Sequence, residues 1–317
     1  MYFGLSEDQV FFQDNVKKYL EDNAPLDIIR KIIEDHESIY KKDIHKGIVN
    51  LGINNLLIPE DNGGLGLNLL FATAISQSLG EALAPIPFFG AYVMAPIAIN
   101  YGGSKDQINT IFNEMSNGKM NFGISFSEYF GSRGDSKIVF SNGKVNGTTL
   151  FALDCDHASH LLVSNSNGVI GSVSLDSQGI ECVDLITVDK TRVFKEINFN
   201  NVTVEVLEKT LNSTTAIEKS LDAGRIVTAA DSLGAAQAMI DKAVSYSKER
   251  KQFNRAIGSF QAVKHMCAEM VAELEPCYSL VWHAAHSFDK DENDARLMAC
   301  HAKSHVSDVA KKVSKKA

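Results

Sequence analysis

The chain has 317 residues, 44% hydrophobic and 22% charged, proportions that belong to a folded globular protein of roughly two or three domains. Its 31 Lys and Arg against 39 Asp and Glu leave a formal charge of −8, which argues against a broad cationic face for nucleic acid. The five cysteines, Cys155, Cys182, Cys267, Cys277 and Cys300, form no C-x-x-C pair, a pattern of reduced cytosolic thiols rather than a disulfide frame or structural zinc.

The start, "MYFGLSEDQVFFQDN", is acidic where a secretory leader is basic and then apolar, and no run reaches about 18 apolar residues. A cytoplasmic protein that meets neither membrane nor nucleic acid is expected. Residues 1–119 read as helices. Ser6 is a candidate N-cap with Gln9 three residues on, followed by a stripe of Val10, Phe11, Val16, Tyr19 and Leu20. Pro59 and the Gly63, Gly64 and Gly66 cluster mark a tight loop. A further helical pattern, "LLFATAISQSLGEALA", is ended by Pro85 and Pro87.

From 120 to 210 the pattern changes to short β-branched or alternating runs such as "KMNFGISFS", "SHLLVSN" and "RVFKEINFNNVTVEVL", separated by Asn-Gly and Ser-Asn turns. This is a β domain, with about half of each strand expected to be buried. From 211 to 317 the spacing is helical again. Ile226, Ala230, Leu233, Gln237, Ile240 and Val244 predict one apolar face of a long helix, and helices near 259–288 and 294–315 follow across "DKDEND". The fold class expected is α+β, mostly α: an N-terminal helical domain at 1–119, a central β domain at 120–210 and an incomplete C-terminal helical bundle at 211–317. No G-x-G-x-x-G follows a strand, so a Rossmann dinucleotide site is not supported.

Four segments in order, "LGINNLLIPEDNGGLGLN" at 51–68, "LGEALAPIPFF" at 79–89, "GRIVTAADSLGAAQAMIDKAVSYSKERKQF" at 224–253 and "FQAVKHMCAEM" at 260–270, resemble the acyl-CoA dehydrogenase family over essentially the whole chain. The resemblance implies FAD bound between the β domain and a helical bundle, and oxidation of an acyl-CoA thioester to a 2-enoyl-CoA. In that chemistry a carboxylate removes the α-proton and a hydride leaves for the flavin. It also implies a homo- or hetero-oligomer assembled through the C-terminal helices, with electron-transfer flavoprotein as a candidate acceptor and oxygen as the alternative.

The resemblance maps the family's R-x-Q/T-F-G motif onto Arg250, Gln252 and Phe253, where the arginine meets the FAD pyrophosphate of a neighbouring subunit. Arginine suits this because its planar fork pairs with two phosphate oxygens and stays charged. Gln261 is a second candidate contact. The bland reading of Arg250 is a solvated charge at a helix end. Arg225 matches a family arginine near the substrate, and pairing with Asp222 or Glu218 is its alternative. In the β domain the family's flavin-holding stretches correspond to "FSEYFGSRGD" and "TLFALDCDHA". Phe126 and Ser127 stand at the flavin edge, while the family's proline and G-A-G are gone and Phe151 and Leu153 replace a Trp and a Thr.

No residue matches the family's base. Some members carry a glutamate just before the arginine, where this chain has Gly224, and others carry the acid beyond the point at which this sequence stops. Two expectations follow: a fragment of a complete enzyme, or a short non-catalytic subunit that contributes FAD contacts to a catalytic partner. "LGEALAPIPFF" looks most like short members that work as unequal pairs on sterol side-chain or other bulky acyl-CoA substrates. Two other constellations are read mainly as structure. Asp154, Asp156, His157 and His160 in "DCDHASH" have metal-ligand chemistry but sit in one inter-strand turn, so a polar surface turn is expected and no metal. His265 and Cys267, two apart on a helix, point to different faces.

Overall fold

The computed structural model describes residues 4–34, 42–131 and 137–317. By backbone packing the chain divides into two compact units, one of Met1–Ile29, Leu69–Ala84 and Arg225–Ala317, the other of Arg30–Asn68 and Pro85–Gly224.

The helices of the first half are α1 (Glu7–Asn23), α2 (Leu26–Glu34), α3 (Lys42–Asn50), α4 (Leu69–Ala82), α5 (Ala95–Gly102) and α6 (Lys105–Ser116), with a π-helical turn over Phe88–Met94. Ser6 and Gln9 form a reciprocal capping box at the start of α1, so two N–H groups that a helix end leaves unpaired are satisfied. The buried face of α1 is Gln9, Val16 and Leu20, whereas Val10 and Phe11 are exposed. The stripe read from the sequence was one residue out of phase at its start. The helix α4 ends before Pro85, as the proline pattern requires.

Eight strands follow: β1 (Phe122–Ser125), β2 (Val139–Ser141), β3 (Lys144–Leu153), β4 (His160–Ser164), β5 (Ile170–Ser174), β6 (Ile180–Leu185), β7 (Phe194–Thr203) and β8 (Glu205–Val206). They form one sheet in the order β6-β7-β3-β1-β4-β5-β8, with β2 paired to β3; β1 and β4 run parallel and the other pairs are antiparallel. Successive β4 residues face opposite ways. Leu162 joins a core with Phe122, Ile124, Phe112 and Ile99, while Leu161 and Val163 join a second core with Val145, Val173, Ile197 and Val202. The central strands are therefore buried on both faces, not the half expected, because helices of the same unit cover one face.

The second half contains α7 (Thr215–Glu249), a hairpin of β9 (Lys251–Gln252) and β10 (Arg255–Ala256), α8 (Gln261–Asp289) and α9 (Ala295–Lys316). Ile226, Val227, Ala229, Ala230, Leu233 and Ala236 are all buried, so α7 is covered around much of its circumference and not on one face alone. In the first unit α4 and α7 touch through glycines. A Cβ on Gly80 would lie 2.0 Å from the Asp231 carbonyl oxygen, and one on Gly234 would lie 1.9 Å from that of Gln77. Ser76 Oγ donates to the Val227 carbonyl across the same crossing at 2.7 Å. Asp289, near the end of α8, accepts from the Leu69 and Leu70 N–H groups at 2.8 and 3.0 Å and so caps α4 from 220 residues away.

Candidate functional site

The predicted site residues fall into two groups, one in each compact unit. In the first unit the chain reverses directly after α7. The Arg250 N–H closes the helix on the Tyr246 carbonyl at 2.9 Å, and the Ile257 N–H donates to the Arg250 carbonyl at 2.8 Å. Between them β9 and β10 pair Lys251 with Ala256 and Gln252 with Arg255, leaving a two-residue loop of Phe253 (φ +52°) and Asn254 (φ +58°). Both loop residues have positive φ, as a tight hairpin that follows the strand twist requires. Asn254 stands where the family motif has glycine, and asparagine is among the residues that tolerate this conformation.

This geometry drives the side chains outward. Arg250, Gln252 and Phe253 are exposed, Phe253 at 87%. Arg255 lies over the Phe260 ring at 4.0 Å, and Phe253 meets Phe260 edge-on at 6.1 Å. Gln261 begins α8, and its amide nitrogen is 3.1 Å from His265 Nε2. The N-cap of α8, Phe260, makes no side-chain cap, and the first turn holds no acid. Beside it lies a cavity of about 360 Å³ lined by Ser247, Lys248, Gly258, Lys264 and Cys267 among others. Exposed cations at Lys248, Arg250, Lys251, Arg255 and Lys264 thus gather around an uncapped helix start in a chain of net negative charge. Such a donor set fits a phosphate-bearing ligand, because the helix N-terminus and guanidinium groups both favour anionic oxygen. The sequence singles out Arg250, Gln252, Phe253 and Gln261 as candidates but not the stacked pair Arg255 and Phe260, since a hairpin with two-residue strands leaves no periodic signal.

Arg225, also in the first unit, is half-buried on α7. The preceding Gly224 closes the second unit, where a Cβ would lie 2.6 Å from Met94 Sδ. Ser220 Oγ donates to the Met94 carbonyl at 2.8 Å, which fixes the backbone at this contact.

The second group lies just beyond β1. Phe126 is 4% exposed as a whole residue and packs in the core with Ile124, Leu162 and Ile217, so its ring is not offered to a ligand. Ser127 is half-buried, with Oγ 3.4 Å from Thr149 Oγ1, which in turn lies 2.6 Å from Ser125 Oγ. Ser125 and Thr149 were not singled out from the sequence. Their pairing bridges β1 and β3, 24 residues apart, and nothing local announces it. Next to them β3 bulges: Thr149 pairs with Ile197 and Ala152 with Lys195, so three steps on β3 match two on β7. Phe151, inside the bulge, is 53% exposed at φ +58°, a strained backbone for an aromatic residue.

The "DCDHASH" segment is not the surface turn expected. Asp154 is 3% exposed and accepts from the Gly90 and Ala91 N–H groups at 2.8 and 3.2 Å, at the start of the π-helical turn. Asp156 pairs with Lys195 Nζ at 2.8 Å. His160 Nδ1 lies 2.9 Å from Ser159 Oγ, with its ring 5.7 Å from that of Phe122 and its pKa lowered, chiefly by burial. The partners of Asp154 and Asp156 come from a distant helical turn and strand, so the aspartates serve the fold.

The family model described as acyl-CoA dehydrogenase, N-terminal domain, matches residues 6–119, and that described as acyl-CoA dehydrogenase, C-terminal domain, matches residues 214–317. Butyryl-CoA dehydrogenase from Megasphaera elsdenii shares the fold at TM-score 0.86 and 22% identity, over 99% of this chain and 88% of that one. The ChsE4-ChsE5 complex from Mycobacterium tuberculosis aligns at TM-score 0.87 and 20% identity, over 100% and 86%. A structure of PigA in complex with FAD aligns at TM-score 0.86 and 18% identity, over 100% and 88%.

Proposed function

The chain belongs to the acyl-CoA dehydrogenase family, and on that premise we propose that it is a subunit of an FAD-dependent acyl-CoA dehydrogenase acting in the α,β-oxidation of an acyl-CoA thioester to a 2-enoyl-CoA. The observation that carries the reading is the exposed hairpin of Arg250, Gln252 and Phe253 beside the uncapped start of α8. FAD, when bound, supplies the hydride acceptor. Toward it Arg250 offers a guanidinium fork to the pyrophosphate, Gln252 and Gln261 offer amides, and Phe253 offers a ring. Ser127, oriented by Thr149, offers a hydroxyl to the ring system, and the Phe126 ring stays in the core. Arg225 is assigned to the substrate side. The PigA complex with FAD, which shares the fold, supports the cofactor.

A second reading has its own observation. Where the resemblance places a glutamate in some members, this chain has Gly224, and a Cβ there would lie 2.6 Å from Met94 Sδ, so Met94 would have to move to admit it. A base at that helix position is therefore not supplied by this chain, and the second reading is a non-catalytic subunit that adds FAD contacts to a catalytic partner, in an assembly made through the C-terminal helices. Anaerobic titration of the purified chain with acyl-CoA tests both. Bleaching of bound flavin by the chain alone supports the enzyme, and bleaching only after addition of a complete family chain supports the accessory subunit. Protein that binds no flavin in either preparation contradicts the proposal.

A further inference from the structure

The two edges of the eight-stranded sheet differ. One ends in β8, a strand of two residues, which is the usual way of keeping an edge from templating another chain. The other ends in β6, whose six residues pair with β7 without a register shift, from Ile180 opposite Phe199 to Leu185 opposite Phe194. The stretch "IECVDLITV" at 180–188 holds no proline, glycine or lysine. Beyond Leu185 the chain carries Ile186 and Val188 fully exposed, at 103% and 102%, and Val183 on the strand is 44% exposed. The loop that holds these aliphatic side chains is tied by Asp189, which accepts from the Thr191 N–H at 2.8 Å and from Arg192 at 3.0 Å.

We propose that β6 is a homotypic edge, on which a second copy of this chain adds its own β6 antiparallel across a twofold axis centred on Val183. The occupant follows from register. A twofold axis that pairs antiparallel strands stands normal to the sheet and keeps each face on its own side, so only residues of equal parity oppose one another. Centred on Asp184 the pairing sets two carboxylates opposite each other, centred on Leu185 it sets Glu181 against Asp189, and centred on Cys182 it sets Ile180 against Asp184 and leaves Ile186 without an aliphatic partner on the strand. Centred on Val183 no acid opposes an acid, and Ile180 faces the otherwise exposed Ile186 of the second copy. Asp184 is already paired with Lys195 on the neighbouring strand, which removes much of the remaining repulsion.

The surface lies in the second compact unit. The test is the solution mass of full-length protein against the Val183→Lys/Ile186→Lys variant, with circular dichroism and flavin content per chain as controls for folding and for the other interface. The expected result is a wild-type mass twice that of the variant with both controls unchanged; equal masses overturn the proposal. As a second measurement, Val183→Cys in a Cys182→Ser background places the new thiol on the axis, where paired Cα atoms about 4.5–5.5 Å apart permit a disulfide. A dimer band under mild oxidation is expected, and its absence overturns the proposal.

Discussion

Met94 Sδ sits where the first side-chain atom of any residue replacing Gly224 would go, 2.6 Å from that position, with Met94 Cγ and Cε at 3.2 and 3.1 Å. Met94 is 9% exposed and belongs to the core that includes Phe112, Phe122 and Leu162, so it has little room to yield. Gly224→Ala is expected to cost about 1–3 kcal/mol by overpacking. Shortening the neighbour in Gly224→Ala/Met94→Ala should recover part of that loss relative to Met94→Ala alone. Urea denaturation of the four proteins measures the coupling, and additive losses would contradict the contact.

Among the described residues Asp289 is the sole side-chain acceptor for the first two N–H groups of α4. Asp289→Ala leaves both donors without it and is expected to destabilise the chain by about 1–3 kcal/mol. Asp289→Asn, which keeps one acceptor oxygen, should lose less. Thermal unfolding of the pair checks the order.

The Phe253–Asn254 reversal makes a sharper distinction between residue types. Asn254→Gly should leave stability within a few tenths of a kcal/mol, while Asn254→Val, β-branched at φ +58°, should cost about 1–2 kcal/mol. The Val variant should also lower flavin content, because the hairpin sets the direction of Arg250 and Phe253.

His160 gives a pH dependence with a defined sign. Burial lowers its pKa from an ordinary 6.5, so the folded state favours the neutral ring and binds fewer protons than the unfolded chain. Its contribution is fully present above pH 6.5 and is lost as pH falls through the lowered folded value. Among its neighbours Glu114, Asp176 and Glu205 act in the opposite direction but do not outweigh burial. His160→Gln should flatten that part of the stability curve between neutral and mildly acidic pH, as followed by denaturation at several pH values.

Features carried by short spacing were legible in the sequence. Ser6 and Gln9 announced their cap because both partners lie within one turn, and the change from helical to alternating runs near 120 and back near 211 located the sheet. Legibility failed where a side chain answers to something far along the chain. Phe126 reads as a flavin-edge residue beside Ser127, yet its ring is claimed by a core assembled from Leu162 and Ile217. Asp154 reads as a turn acid, yet its partners are N–H groups 64 and 63 residues earlier. The hydroxyl pair of Ser125 and Thr149 is of the same kind. In the site itself, Arg250 and Gln261 were visible through family motifs, whereas the Arg255–Phe260 stack depends on a hairpin too short to leave a pattern.

Arg250 is proposed as the phosphate-recognising arginine that this chain presents to FAD. This is tested by the flavin-to-protein ratio of the purified protein for wild type, Arg250→Lys and Arg250→Ala, with thermal midpoints confirming that all three fold. Loss of a charge-assisted bond worth about 1.5–3 kcal/mol should weaken FAD binding about 10- to 100-fold in Arg250→Ala, with an intermediate effect in Arg250→Lys, which keeps charge but not the fork. Equal flavin ratios across the three proteins at limiting FAD would contradict the account.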